Sequence, residues 1–182
     1  KPIVEATTFI YKQAMDNLLP TPAKFHYSFN LRDVSKVFQG MLMSKTEQVP
    51  DALRLVQLWL HESERIYGDR LVNAENLATY RLLAADITKK NFGKFNLNKY
   101  FQLPTPEPLV FAYFVHGLDE KMYDQFGNIE ALSQRLRDAL REYNEMNAAM
   151  DLVLFDDAMK HVCKITRIVT ATSGHSLLVG VG

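Results

Sequence analysis

Apolar residues recur at spacings of three and four along most of the chain, the interval that puts side chains on one face of an α-helix. Ile3, Thr7, Ile10, Tyr11, Ala14 and Leu18 mark a first helix over residues 3–18, and Pro20 and Pro22 stop it. Leu31, Val34, Val37, Phe38, Met41 and Leu42 mark a second, ending around Ser44. Residues 51–67 are apolar on most sides, through Leu53, Leu55, Val56, Leu58, Trp59, Leu60, Ile66 and Tyr67, which predicts a central helix of a small bundle. Leu77, Tyr80, Leu83, Ala84 and Ile87 give a fourth helix over 74–91, closed by Gly93. Four such helices with short connections can pack as one bundle.

The caps agree with this pattern. Asn30, Asn73 and Asn128 each precede a periodic stretch, and an Asn side chain there accepts a free amide hydrogen of the first turn. Asp33 lies three residues after Asn30, a variant of the capping box. Pro50 suits a first helical position, where its missing amide hydrogen costs nothing. Gly68-Asp69-Arg70 reads as a turn.

Beyond residue 92 the pattern loosens, with prolines at 104, 106 and 108. Leu109–Phe114 (LVFAYF) is short and rich in β-branched and aromatic residues, a strand candidate without an adjacent hairpin partner. Ile129, Leu132, Leu136, Leu140, Tyr143 and Met146 mark a helix over 129–147. Its opposite face carries Arg135, Arg137 and Arg141, a possible phosphate patch, but Asp138 and Glu142 are interleaved and favour a solvated face. The apolar run Leu152, Val153, Leu154 and Phe155 precedes a helix over 156–172 with Met159, Val162, Ile165, Ile168 and Val169 inward and Cys163 off the stripe. Gly174 is a natural helix end, and Leu177-Leu178-Val179 reads as a buried parallel strand.

Composition narrows the function classes. The chain has 182 residues, 47% hydrophobic and 23% charged, enough for one domain or a domain plus part of another. Lys plus Arg equals Asp plus Glu at 21 each, so no global basic field argues for nucleic acid or an anionic membrane. Cys163 is the single cysteine, which favours a reducing compartment. No apolar run approaches the ~20 residues that cross a bilayer, and no secretory leader is expected. A first residue of Lys1 rather than Met leads us to expect a piece of a longer chain.

Candidate chemistry is sparse. His61-Glu62-Ser63-Glu64-Arg65 invites comparison with the zinc motif His-Glu-x-x-His, but position 65 is Arg and a ligand is missing. Surface pairs such as Glu62–Arg65 or His61–Glu64 are the expectation there. Phe25, Tyr27 and Phe29 could line a pocket, but packing is the preferred role. No catalytic residue and no metal site emerges, because no His, Cys or Asp constellation has the needed spacing. Arg32 stands in the first turn of its helix. Its backbone would be fixed there, with a planar five-donor head free to reach a phosphate beside a favourable helix dipole. A plain solvated Arg is the competing reading. Gly180-Val181-Gly182 follows the candidate strand and could open a phosphate loop, though the Lys and Ser or Thr of that motif do not follow.

FHYSFNLRDVSKVFQGM (residues 25–41) closely resembles the start of the helical lid of the third AAA+ module in dynein heavy chains. The resemblance continues in LWLHESERIYGDRL (58–71) and DLVLFDDAMKHVCKITRI (151–168), and ends in GHSLLVGVG (174–182). These segments occur in family order, span nearly the whole chain, and fit the axonemal branch better than the cytoplasmic one. The resemblance implies a mainly α fold: a helical lid over 1–103, a connector over 104–126, and over 127–182 the incomplete start of the fourth, α/β AAA+ module, cut inside its phosphate loop. It implies that Arg32 senses nucleotide. It implies that Leu152, Val153, Leu154 and Phe155 lie against an adenine ring, near Gly180 and Gly182 of the phosphate loop.

The function so implied is that of a segment of an ATP-driven, minus-end-directed microtubule motor of the cytoskeleton, in the cytoplasm or in the axoneme of a cilium or flagellum. ATP or ADP with Mg would serve the intact motor, and none is expected on this segment alone. The implied partners are the remaining AAA+ modules, the microtubule through distant parts of the motor, and dynein intermediate and light chains; neither nucleic acid nor membrane is expected. The 182-residue chain by itself is expected to release no phosphate from ATP above buffer. The alternative is a non-enzymatic helical module that binds partner helices. The residues encoded after Gly182 would separate the two.

Overall fold

The computed structural model describes residues 1–101, 106–171 and 174–180. They divide between two compact units, Lys1–Leu109 and Val110 onward. Six α-helices and a two-stranded sheet occur among the described residues.

The first unit holds α1 (Pro2–Asn17), α2 (Leu31–Met41), α3 (Ala52–Ile66) and α4 (Ala74–Phe92). α1 packs on α4, α2 packs on α3, and α1 also touches α2 and α3. The faces follow the apolar spacing. Ala6, Ile10, Ala14 and Leu18 of the first stretch, Val37 of α2, Val56, Trp59 and Leu60 of α3, and Tyr80, Ala84 and Ile87 of α4 form one buried cluster. Each large side chain buried there contributes about 1.5–3 kcal/mol. Trp59 is central to it: its ring lies 5.3 Å from that of Phe92. Its Nε1 donates to Thr7 Oγ1 at 2.9 Å.

Three local expectations change. Asp51, not Pro50, fixes the start of α3, its Oδ1 accepting from Arg54 N at 2.7 Å. Gly93 ends α4 without a left-handed turn, at φ −57°. His61 and Glu62 do not form surface pairs: both are buried, and His61 Nδ1 lies 2.9 Å from Leu109 O. The reason is register. Residues 58–63 of α3 are all buried, so the polar positions there turn inward with the apolar ones, while Leu53 and Leu55 in its first turns stay exposed.

In the second unit β1 (Phe111–Ala112) pairs antiparallel with β2 (Asp124–Gln125). The strand candidate thus finds its partner across a loop that includes Gly117, whose φ of 145° suits only glycine. α5 (Ile129–Met146) and α6 (Asp156–Thr170) follow. Ala112, Phe114, Phe126, Leu132, Leu136, Met159 and Cys163 form its core. Cys163 therefore faces inward, one turn from Met159, while Val169 of the expected stripe is exposed. Leu177–Val179 forms no strand and is exposed. A parallel strand needs neighbours on its edges to pair its backbone, and none lies beside it among the described residues.

Candidate functional site

Arg32 occupies the second position of α2. Asn30 caps that helix: its Oδ1 accepts from Arg32 N at 2.9 Å, and Asn30 N donates to Asp33 Oδ2 at 3.0 Å. The expected capping box is therefore present, and the Arg32 backbone is held by it. The Arg32 side chain is exposed and forms no hydrogen bond or ion pair among the described residues. Donors at a helix start and an exposed guanidinium make this the kind of place an anion is received.

A second arginine sits behind the first. Arg70 Nη2 donates to Asp33 Oδ1 at 2.7 Å, and Nη1 donates to Asp33 Oδ2 and to Ser28 O, each at 3.2 Å. Asp33 is only 3% exposed, so this two-pronged pair is shielded from water. The Arg70 guanidinium also covers the Phe29 ring, 5.0 Å from its centroid. His26 Nε2 lies 3.1 Å from Arg70 O. Sequence reasoning gave Arg70 no role beyond a turn. Spacing along the chain carries no signal for a partner so far away.

Of the three connector rings, Tyr27 and Phe29 are buried and Phe25 is exposed. The Tyr27 hydroxyl accepts from Val72 N at 3.0 Å and Asn76 Nδ2 at 2.9 Å. Packing is the role of Tyr27 and Phe29. Near the end of α3, Arg81 pairs with Glu64 at 3.0 Å and Arg65 with Asp69 at 3.3 Å. Tyr67 and Tyr80 lie beneath, with ring centroids 6.4 Å apart. Burial pushes both phenols above the ordinary tyrosine range; Asp33 adds to this at Tyr67 and Glu64 at Tyr80.

In the second unit Leu152, Val153 and Leu154 come together along one open groove of about 390 Å³, facing Arg137, Leu140 and Arg141 of α5. That volume lies in the range of small-molecule sites. An apolar wall opposite two guanidinium groups suits a flat, anionic ligand. Asn144 closes one end of the loop, donating from Nδ2 to Met150 O at 3.1 Å and accepting from Met150 N at 2.9 Å. Phe155 does not line the groove. It stands at the start of α6, 60% exposed. Gly180 is exposed, with open space around it, and Gly182 lies outside the described residues. Among the described residues, no group of His, Cys, Asp and Glu is arranged to hold a metal ion. No described helix is long and apolar enough to cross a membrane.

Comparison with known proteins agrees with the mainly α fold. The family model of the AAA+ lid domain matches residues 3–101. A second model, the P-loop-containing dynein motor region D4, matches residues 150–182. The chain is 47% identical over 180 residues to the dynein alpha chain of the flagellar outer arm of Chlamydomonas reinhardtii. It is 42% identical to dynein axonemal heavy chain 11 of Sus scrofa and 40% identical to the ciliary dynein beta chain of Tripneustes gratilla. Each match covers 99% of this chain but 4% of the relative, so the chain spans a small part of the proteins it resembles. The chain belongs to the AAA+ lid family, in the form that domain takes in axonemal dynein heavy chains.

Proposed function

We propose that this chain is the nucleotide-sensing lid of the third AAA+ module of an axonemal dynein heavy chain, joined to the start of the fourth. Arg32 reads the phosphates of a nucleotide held by the preceding large domain. The helical bundle passes that state along the ring of an ATP-driven microtubule motor in a cilium or flagellum. The observation that carries the reading is Arg32 itself: an exposed guanidinium without an internal partner among the described residues, on a backbone fixed by the Asn30 cap.

In the second unit we assign the groove wall of Leu152, Val153 and Leu154, with Phe155 beside it, to the purine of the fourth module's nucleotide. Gly180 and Gly182 begin its phosphate loop. ATP with Mg would supply the phosphoryl group when bound, and ADP is what remains after its transfer. This chain's own residues do the binding and the sensing. The remaining AAA+ modules, the microtubule and the intermediate and light chains are the partners of the whole motor.

The test is Arg32→Ala in the full heavy chain. Loss of one charge-assisted contact to phosphate should weaken nucleotide binding at the third module about tenfold and slow stepping, with the fold intact. Unchanged affinity and velocity would overturn the reading.

A further inference from the structure

We propose that Arg70 is a positioning residue for Arg32, fixing the start of α2 from the far end of α3; the inference rests on the sensing role given to Arg32 above. One side chain grips both sides of the Asn30 cap. On the helix side it forks onto Asp33, the residue after Arg32, at 2.7 and 3.2 Å. On the loop side it reaches Ser28 O at 3.2 Å and covers Phe29. Its own carbonyl lies 3.1 Å from His26 Nε2, so main chain and side chain are tied to the same loop.

The chemistry selects Arg at this place. Three oxygens, two on a shielded carboxylate and one on a backbone carbonyl, are met by one planar fork, and the plane's face rests on an aromatic ring. A lysine ammonium keeps the charge but cannot meet that geometry. Asp33 is held as well by Asn30 N, so its carboxylate is shared between the cap and the fork. A shift of the turn Gly68–Arg70 that follows α3 therefore pulls on Asp33 and turns the first residues of α2 with it. Arg70 need not touch nucleotide. It sets where the Arg32 backbone points, and it links that direction to the end of the central helix.

The test is a cycle of three variants in the full heavy chain: Arg32→Ala, Arg70→Lys, and both together, with third-module nucleotide affinity as the readout. Arg81→Lys, at the neighbouring Glu64 pair, is the control for a purely structural loss. We expect Arg70→Lys to weaken affinity about tenfold, the double variant to bind as Arg32→Ala does, and Arg81→Lys to bind as the parent. If Arg32→Ala weakens binding while Arg70→Lys does not, the positioning role is overturned and the sensing role stands. If the two losses multiply in the double variant, or Arg81→Lys weakens binding as much as Arg70→Lys, the role is likewise overturned. If Arg32→Ala leaves affinity unchanged, the sensing role fails first and takes the positioning role with it.

Discussion

Trp59 Nε1 donates to Thr7 Oγ1 at 2.9 Å, and both residues are wholly shielded from solvent. This bond pins α3 to α1 at the centre of the bundle. Thr7 also donates to Ile3 O at 2.7 Å, so its hydroxyl is used twice. Thr7→Val keeps the side-chain shape and leaves the indole N–H without an acceptor. We expect a loss of about 1–3 kcal/mol, the penalty of one unsatisfied buried donor. Urea unfolding of the chain, followed by tryptophan fluorescence, measures it; Trp59 is the single tryptophan.

The Asp33–Arg70 pair should matter far more than its counterparts at the surface. Asp33→Ala removes a helix cap and strands the Arg70 guanidinium, which is 23% exposed. Breaking a shielded pair costs 3–5 kcal/mol when the remaining charge is fully buried; the partial exposure of Arg70 points to about 3. Lys99–Glu107 is the contrast, 49% and 44% exposed at a similar 2.9 Å. Lys99→Ala should cost less than about 1 kcal/mol and lose its effect at high salt. Denaturant midpoints at low and high ionic strength separate the two cases.

Alkaline pH tests the two stacked tyrosines. Burial holds the phenols of Tyr67 and Tyr80 protonated above their ordinary range. The unfolded chain releases those protons near pH 10. Above that pH the folded state binds more protons than the unfolded one, so stability falls as pH rises and is complete below it. Neither hydroxyl has a hydrogen-bond partner among the described residues. Tyr80→Phe therefore removes a desolvated group without breaking a bond. It should leave stability at pH 7 unchanged or higher and flatten the decline above pH 10. Thermal melts across pH 7 to 11 check both parts.

The helices were legible because their signals are local: a run at spacings of three and four in each, and an Asn or Asp cap ahead of α2, α3, α4 and α5. Asn30, Asn73 and Asn128 all cap as the sequence predicts. What depended on partners distant in sequence was not legible. Asp33 reads as a capping residue, and nothing nearby announces Arg70. His61 and Glu62 read as a charged surface because their neighbours in sequence are charged; only the enclosure of that part of α3 buries them. Cys163 was placed off the inner stripe, yet it lies one turn from Met159 on the buried face. In a helix with several overlapping stripes, the packing partner decides which one turns inward. Arg137 and Arg141 are indeed exposed, as interleaved acids suggest, and they also face Leu152–Leu154 across a groove that exists only once α5 and the 152–154 segment are side by side.

Val153 and Met159 separate binding from folding in the second unit. Val153 is 80% exposed on the groove wall, whereas Met159 is 3% exposed in the core. Val153→Asp should change stability by no more than about 0.5 kcal/mol, the usual range for a surface site. Met159→Ala should cost about 2–5 kcal/mol by opening a cavity. If the wall receives a purine, a carboxylate at 153 puts a charge against an apolar ring face and repels the phosphates behind it. Fourth-module nucleotide affinity in the full heavy chain should then fall about tenfold or more, a change of about 1.4 kcal/mol, while the denaturant midpoint stays in place. A Val153→Asp motor that binds nucleotide at the fourth module as the parent does would remove the groove from the nucleotide site and leave the core of Ala112, Leu132, Met159 and Cys163 as the sole business of this part of the chain.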